Sequence, residues 1–329
     1  MKAVSIGELT VDWLSLECGE SMMTARKFYR YIGGNATNVA VGLARLGLDS
    51  AIISKVGKDI HADYLLACLK NESVDVSWLS YDAEQPTSQC YMVRRQDGSP
   101  DYYSWPSPNA SKSIKPEDIP AESFVDSWIW HLAAVSFIAR PRRFAMQHAV
   151  VSARQAGKII SFDACYPLIE SDGGRRAAWE AMKASDIVRF NLAESAYWSG
   201  LPFGTDPDST AAALLKELSP ALLIITLAEK GAFLYSAGKK AFLPAIEVES
   251  VGDVGPGDAF SAGLIYGLST LKNGMDRASL HEFDLETWLG VCRYGACTGA
   301  MVTRAYSATE RFPRLDELKL ALGETTLRS

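Results

Sequence analysis

The chain has no run of basic residues, no CxxC pair, no grouped histidines and no long apolar stretch. Each absence removes a class of protein. Nucleic-acid binding needs a basic face, and a formal net charge of −6 supplies none. The densest basic cluster, Arg140, Arg142 and Arg143, reads as a solvated helix start. The six cysteines (Cys18, Cys68, Cys90, Cys165, Cys292 and Cys297) lack ligand spacing and default to small buried hydrophobes of a reducing compartment. The four dispersed histidines complete no metal or triad pattern. The opening MKAVSIGELTVDWL places Glu8 and Asp12 inside its first apolar stretch, which neither a secretory leader nor a membrane span tolerates. The expectation is a cytoplasmic protein with no membrane and no nucleic-acid partner, in which Asn-x-Ser/Thr matches such as those at Asn35 and Asn109 carry no meaning.

What is present is a rhythm. Short apolar, β-branched runs (KAVSIG, AIISKVG, WIWHLAAVSF, KIISFDA, DIVRFN, LLIITLA) alternate with helical patterns and predict βαβ units around a mostly parallel sheet. A helix-rich segment from Asp258 to Ala300 closes the chain. Two stretches break the rhythm and read as antiparallel ribbons. In the first, LTVDWLSLE and ARKFYRYI flank the turn Cys18–Ser21; in the second, TSQCYMVRR and DYYSWP flank Gln96–Ser99. The predicted architecture is therefore an α/β core of residues 1–7, 32–86 and 107–329, with a β-lid of residues 8–31 and 87–106 that closes over substrate.

Four segments carry candidate chemistry. Val248–Gly252 reads as a strand end, Asp253 to Asp258 as a glycine-rich turn, and Ala259–Leu271 as an apolar helix. Amides at such a helix start form an anion site, and Asp258 in the first turn is placed to take a proton from a hydroxyl. The plain alternative is a capped helix behind a glycine turn. Gly33-Gly34-Asn35-Ala36-Thr37-Asn38 offers backbone contact and amide side chains suited to polyol hydroxyls, or an Asn-capped helix. Asp12, an acid in an apolar ribbon, either binds paired hydroxyls or lies on a solvent face. Asn191-Leu192-Ala193-Glu194 sits at a strand's carboxyl end, where Glu194 suits Mg²⁺ through water and Asn191 suits phosphate or a helix cap. Thr226 to Gly231, after LLII, is a further strand end, where Thr226 suits a phosphate but marks no site by itself.

In this order (lid ribbon, GGNATN, NLAE, TLAEKG, DVGPGD) the segments resemble the PfkB carbohydrate kinases, whose fold is ribokinase-like. The resemblance covers essentially the whole chain. It implies a three-layer α/β/α domain with a mostly parallel sheet and a small β-sheet lid, ATP as donor, Mg²⁺, and phosphoryl transfer to a sugar hydroxyl. Carried over by position, it makes Asp258 the base and Gly255 and Gly257 its anion hole. Gly33, Gly34, Asn35, Asn38 and Asp12 become sugar-binding, Asn191, Thr226 and Gly231 nucleotide-binding, and Glu194 the metal residue. It also implies a homodimer formed through the lid, with Tyr102, Tyr103 and Trp105 covered by the second subunit or else packed in a core.

Several positions depart from the family pattern. Pro256 removes one amide from the anion hole. Val254 stands for a customary Thr, leaving any K⁺ site to backbone carbonyls. Ala228 replaces a nucleotide-loop Gly, and Tyr294 and Tyr306 stand where Asn and Gly are usual near adenine. Asp163-Ala164-Cys165-Tyr166-Pro167 lacks the arginine found in fructose, 2-keto-3-deoxygluconate and 5-dehydro-2-deoxygluconate relatives. An acidic sugar loses its bidentate partner there unless Arg94 or Arg95 supplies one, so a fructose-like ketose or related polyol leads. The competing readings are a nucleoside kinase of the same family and a catalytically weak sugar-binding or regulatory member.

Overall fold

The computed structural model describes residues 1–19, 21–95, 100–165, 172–251, 254–272 and 275–323. From the N-terminus the chain forms β1 (Lys2–Ile6), a hairpin of β2 (Thr10–Cys18) and β3 (Tyr29–Gly33), then α1 (Asn35–Arg45) and β4 (Ser50–Ile53). The short β5 (Lys55–Val56), α2 (Ile60–Asn71) and β6 (Ser80–Tyr81) lead to a second hairpin, β7 (Gln89–Arg94) and β8 (Pro100–Trp105). After the single turn α3 (Glu122–Val125) come β9 (Ser127–Ala133), α4 (Arg142–Gln155), β10 (Ile159–Asp163), α5 (Asp172–Lys183) and β11 (Ile187–Asn191). Helices α6 (Leu192–Ser199) and α7 (Pro207–Leu214) precede β12 (Leu222–Thr226), β13 (Gly231–Ser236) and β14 (Lys239–Pro244). The chain then runs through α8 (Pro256–Ser269), α9 (Leu285–Val302), α10 (Ala308–Arg311) and α11 (Leu315–Ala321).

The main sheet has eight strands in the order β14-β13-β12-β11-β10-β9-β1-β4. Six of them pair in parallel, and β13 and β14 extend the edge antiparallel. Both faces of a parallel sheet must be covered, which is why its strands are apolar at nearly every position. Trp130, Phe162, Phe190 and Ile225 pack on α4 to α7 from one side. Ile129, Ile159, Ile187 and Ile224 pack on α1, α8 and α9 from the other. This is a three-layer α/β/α fold. Helix α8 is apolar all round because it lies between the sheet and the outer helices, and every residue from Asp258 to Leu268 is buried. Its close contacts use glycines: a Cβ at Gly263 would stand 2.5 Å from the Tyr294 carbonyl of α9.

The smaller sheet has the order β3-β2-β7-β8. Each hairpin is antiparallel, and the two join through parallel β2 and β7. Asp59 fixes the second hairpin's root. Its carboxylate caps α2 through the amides of His61 and Ala62 and also accepts the Thr87 amide at 2.8 Å. The Gln96–Ser99 turn of the second ribbon lies outside the described residues, as does Glu20 of the first.

Two expectations need correction. Val248–Val251 is not a strand; Val251 instead hydrogen-bonds the Thr303 carbonyl beyond α9. Arg142 and Arg143 are not a solvated helix start but are buried, because their guanidinium groups fold back onto the carbonyls of Val135, Ser136, Phe137 and Ile138. Tyr102, Tyr103 and Trp105 lie in no core and are 48, 40 and 66% exposed on β8.

Candidate active site

The first turns of α1 and α8 meet at the carboxyl end of the sheet, where open α/β folds bind ligands. Gly255 caps α8 in the left-handed conformation (φ +80°), and among the described residues no side chain caps the helix start. Pro256 then occupies the first helical position, which suits its fixed φ but offers no N–H. The remaining first-turn amides keep the positive end of the helix dipole open to an anion. Asp258 belongs to this turn yet serves as an acceptor for another helix. Asn38 Nδ2 donates to its Oδ2 at 2.7 Å, and Asn35 Nδ2 donates to its Oδ1. Asn35 and Asn38 reach it together because a spacing of three puts them on one face of α1. Their own side-chain carbonyl oxygens are buried without a partner among the described residues, a pair of acceptors open to donors.

Burial, reinforced by the nearby Asp163 carboxylate, pushes the Asp258 carboxyl up to about 8. A base with its pKa near neutrality combines a proton affinity useful for catalysis with appreciable ionisation at working pH.

The paired glycines have separate tasks. Gly34 adopts φ +97°, and a Cβ there would stand 2.5 Å from the Glu8 carbonyl. Gly33 is bare because the Asp12 carboxylate occupies the space its side chain would fill. Thr10 Oγ1 donates to Asp12 Oδ1 at 2.6 Å, and burial lifts this carboxyl to about 7 although part of the residue still reaches solvent. Asp12 therefore points across the lid root toward the GGNATN turn, not out from a solvent face.

The remaining predicted residues are tied mainly to structural partners. Asn191 and Glu194 form a reciprocal capping box on α6: the Glu194 amide donates to Asn191 Oδ1 at 2.8 Å, and the Asn191 amide donates to Glu194 Oε2 at 2.6 Å. Thr226 donates to the Phe190 carbonyl and accepts from Arg189. Gly231 has φ +120° and packs against the backbone of Leu243, so a turn explains its glycine. Ala228, in a position where glycine is easier, takes φ +51°. Tyr294 packs edge-on to Tyr266, and Tyr306 carries the Arg94 guanidinium 4.6 Å above its ring. Tyr166 and Pro167 lie outside the described residues, as do Gly252 and Asp253.

Two groups near the site belong to none of the four candidate segments. Arg189, on β11, pairs with the fully buried Asp163 of β10 through contacts of 2.6, 2.7 and 3.2 Å. Glu8 binds Arg142 at 2.6 Å and accepts from Ser136 at 2.8 Å, and its main-chain carbonyl accepts from Thr37. A signal existed for Arg189: a cation inside the buried strand DIVRFN requires a buried partner.

Comparison with known proteins places the chain in a family. The family model described as pfkB family carbohydrate kinase matches residues 1–314. A fructokinase of Klebsiella pneumoniae is 31% identical over 296 residues, covering 88% of this chain and 91% of its own. An uncharacterized sugar kinase of Pyrococcus horikoshii solved with ATP superposes with TM-score 0.81 at 27% identity, covering 97% of both chains. The fold also matches a Xylella fastidiosa fructokinase with bound ATP, at TM-score 0.86, 23% identity and 98% coverage of both chains. The fold is thus that of a ribokinase-like α/β enzyme. The chain belongs to the PfkB family of carbohydrate kinases.

Proposed function

We propose that this chain transfers the γ-phosphoryl group of ATP to a hydroxyl of a small neutral sugar, a fructose-like ketose or related polyol. The carrying observation is the Asp258 carboxylate, buried between two amide donors in the first turn of a helix that no side chain caps. The substrate hydroxyl gives its proton to Asp258 as its oxygen attacks the γ-phosphorus. The bond from that phosphorus to the β–γ bridging oxygen breaks, and ADP leaves. The first-turn amides of α8 hold the transferring oxygens. Asn35 Oδ1, Asn38 Oδ1 and Asp12 accept from the other sugar hydroxyls, and the hairpin lid over them excludes water.

A neutral sugar is favoured by the state of the arginines. Arg142 is held by Glu8, Arg95 by Asp101, and Arg94 stacks on Tyr306. Relatives named fructokinase point the same way. Among the described residues no cluster of three or more His, Cys, Asp or Glu side chains could cage a metal. Glu194, buried in a capping box, fits only a water-mediated contact to Mg²⁺ carried on the nucleotide phosphates, where the ion supplies neutralising charge.

The exposed Tyr102, Tyr103 and Trp105 suit a lid-to-lid homodimer. Light scattering that finds a monomer at every concentration would remove it. No described helix is long and apolar enough to cross a membrane. The function is tested with a panel of sugars and nucleosides, ATP and Mg²⁺, by coupled ADP release. ADP formed only with a ketose or polyol is expected, and nucleoside-only turnover or none overturns the reading.

A further inference from the structure

An α-helix start leaves its first amides without intrahelical partners, and those amides are what an anion binds. In α8 one is missing, because residue 256 is proline. The same turn has a second unusual feature directly beneath it. A Cβ on Gly257 would collide with Arg189 Nη2 and stand 2.9 Å from Cζ and 3.2 Å from Nη1. The guanidinium therefore lies against the bare Cα of Gly257, and any side chain at this position would have to displace that arginine.

The arginine is anchored from behind. Its Nε and Nη2 bind Asp163, whose side chain is fully buried, while Nη1 donates to Thr226 Oγ1 at 3.3 Å. The ion pair is thus oriented, with its anion in the core and its cation under the α8 turn. The arginine side chain keeps 10% of its surface exposed. An arginine held in this way is preorganised, so its positive charge needs no rearrangement when negative charge arrives.

We propose that Arg189 completes the anion hole that Pro256 leaves short, placing a fixed guanidinium under the transferring phosphoryl group in place of the missing amide. This deepens the kinase reading and rests on it. The Asp163–Arg189 pair, which looks like a core ion pair, thereby becomes part of the phosphate machinery, with Asp163 and Thr226 as positioning residues.

The test is a cycle of variants that keeps burial neutral. Removing Arg189 alone strands the Asp163 carboxylate, so the charge is removed from both partners together in Asp163→Asn/Arg189→Gln. This pair is made in the wild-type chain and in Pro256→Ala, which restores the amide. In the wild-type chain kcat is expected to fall at least 30-fold, and ATP affinity measured by calorimetry should fall at least tenfold more than ADP affinity. In the Pro256→Ala chain the same change should cost fivefold or less in kcat. Equal losses in the two chains, or ATP and ADP affinities weakened alike, would overturn the assignment. Wild-type turnover with sugar and ATP decides the kinase reading separately, so the two cannot fail unnoticed together.

Discussion

Helices α6 and α8 both start at the carboxyl end of the sheet, each with an acid in its first turn, and they use that acid in opposite ways. Glu194 turns back on its own helix and closes a capping box with Asn191, leaving the α6 start satisfied. Asp258 makes no capping hydrogen bond to its own helix. It accepts from Asn35 and Asn38 of α1, while the α8 start keeps a left-handed glycine, a proline and no side-chain cap. A capped start contributes about 1 kcal/mol of stability and binds nothing; an uncapped, buried one forgoes that stability and retains its field for a ligand. The site is therefore recognised by what its helix leaves undone.

The sharpest way to break this contrast is to neutralise each acid without changing its shape. Asp258→Asn should lower kcat by roughly 10³-fold or more with the sugar KM changed only a few-fold, since a general base acts mainly in the transition state. Retention of a tenth of wild-type turnover in the coupled assay would move the base elsewhere. The pH profile comes next. The Asp258 carboxyl, pushed up to about 8 by burial, must lose its proton to act, and Asp12, lifted to about 7, must do so to accept hydroxyl protons. Activity should thus rise with pH and level off near 8: kcat/KM roughly tenfold per unit between 7 and 8, and more steeply below 7. A flat kcat/KM from pH 6 to 8 would contradict both assignments.

A smaller effect probes the bridge from α1. Asn38 lowers the Asp258 pKa by donating to it, so Asn38→Ala should move the rise of the profile upward by roughly one pH unit. An unmoved profile would mean that the hydrogen bond does not tune the base. The smallest effect belongs to α6. Glu194→Ala should lower the melting temperature by roughly 2–4 °C through loss of the box, whereas Glu194→Gln keeps the box and should melt within about 1 °C of wild type. If Glu194→Gln nevertheless raises the Mg²⁺ requirement severalfold, Glu194 serves the metal as well as the cap. An unchanged requirement leaves it a cap alone.

Much of this was legible in the residues, for identifiable reasons. Alternating apolar runs and helical patterns require a covered parallel sheet, and a proline and two glycines around Gly255 require a turn opening a helix. Turn chemistry and periodicity are local, so Asp258, the GGNATN segment and the two hairpins could be read without a fold. Local pattern failed where long-range partners override it. Arg142 and Arg143 resembled a solvated cluster because nothing nearby in sequence shows the carbonyls of residues 135–138 folding over them. Val248–Val251 resembled a strand end because its β-branched valines lead into a glycine-rich turn, yet it finds Thr303 and not a sheet edge.

Sequence alone therefore determined the layers, the family and the positions of the glycines and acids, because these follow from periodicity, backbone freedom and order along the chain. Tertiary structure decided what each of those groups does. Asn35 and Asn38 meet Asp258 only because α1 packs against α8, and Gly33 needs to be bare only because Asp12 arrives from the lid root. Arg189 lies under Gly257 only because parallel β10 and β11 align it with Asp163. Burial, and with it the raised carboxyl of Asp258, is a property of what surrounds a residue in space, which no spacing along the chain records.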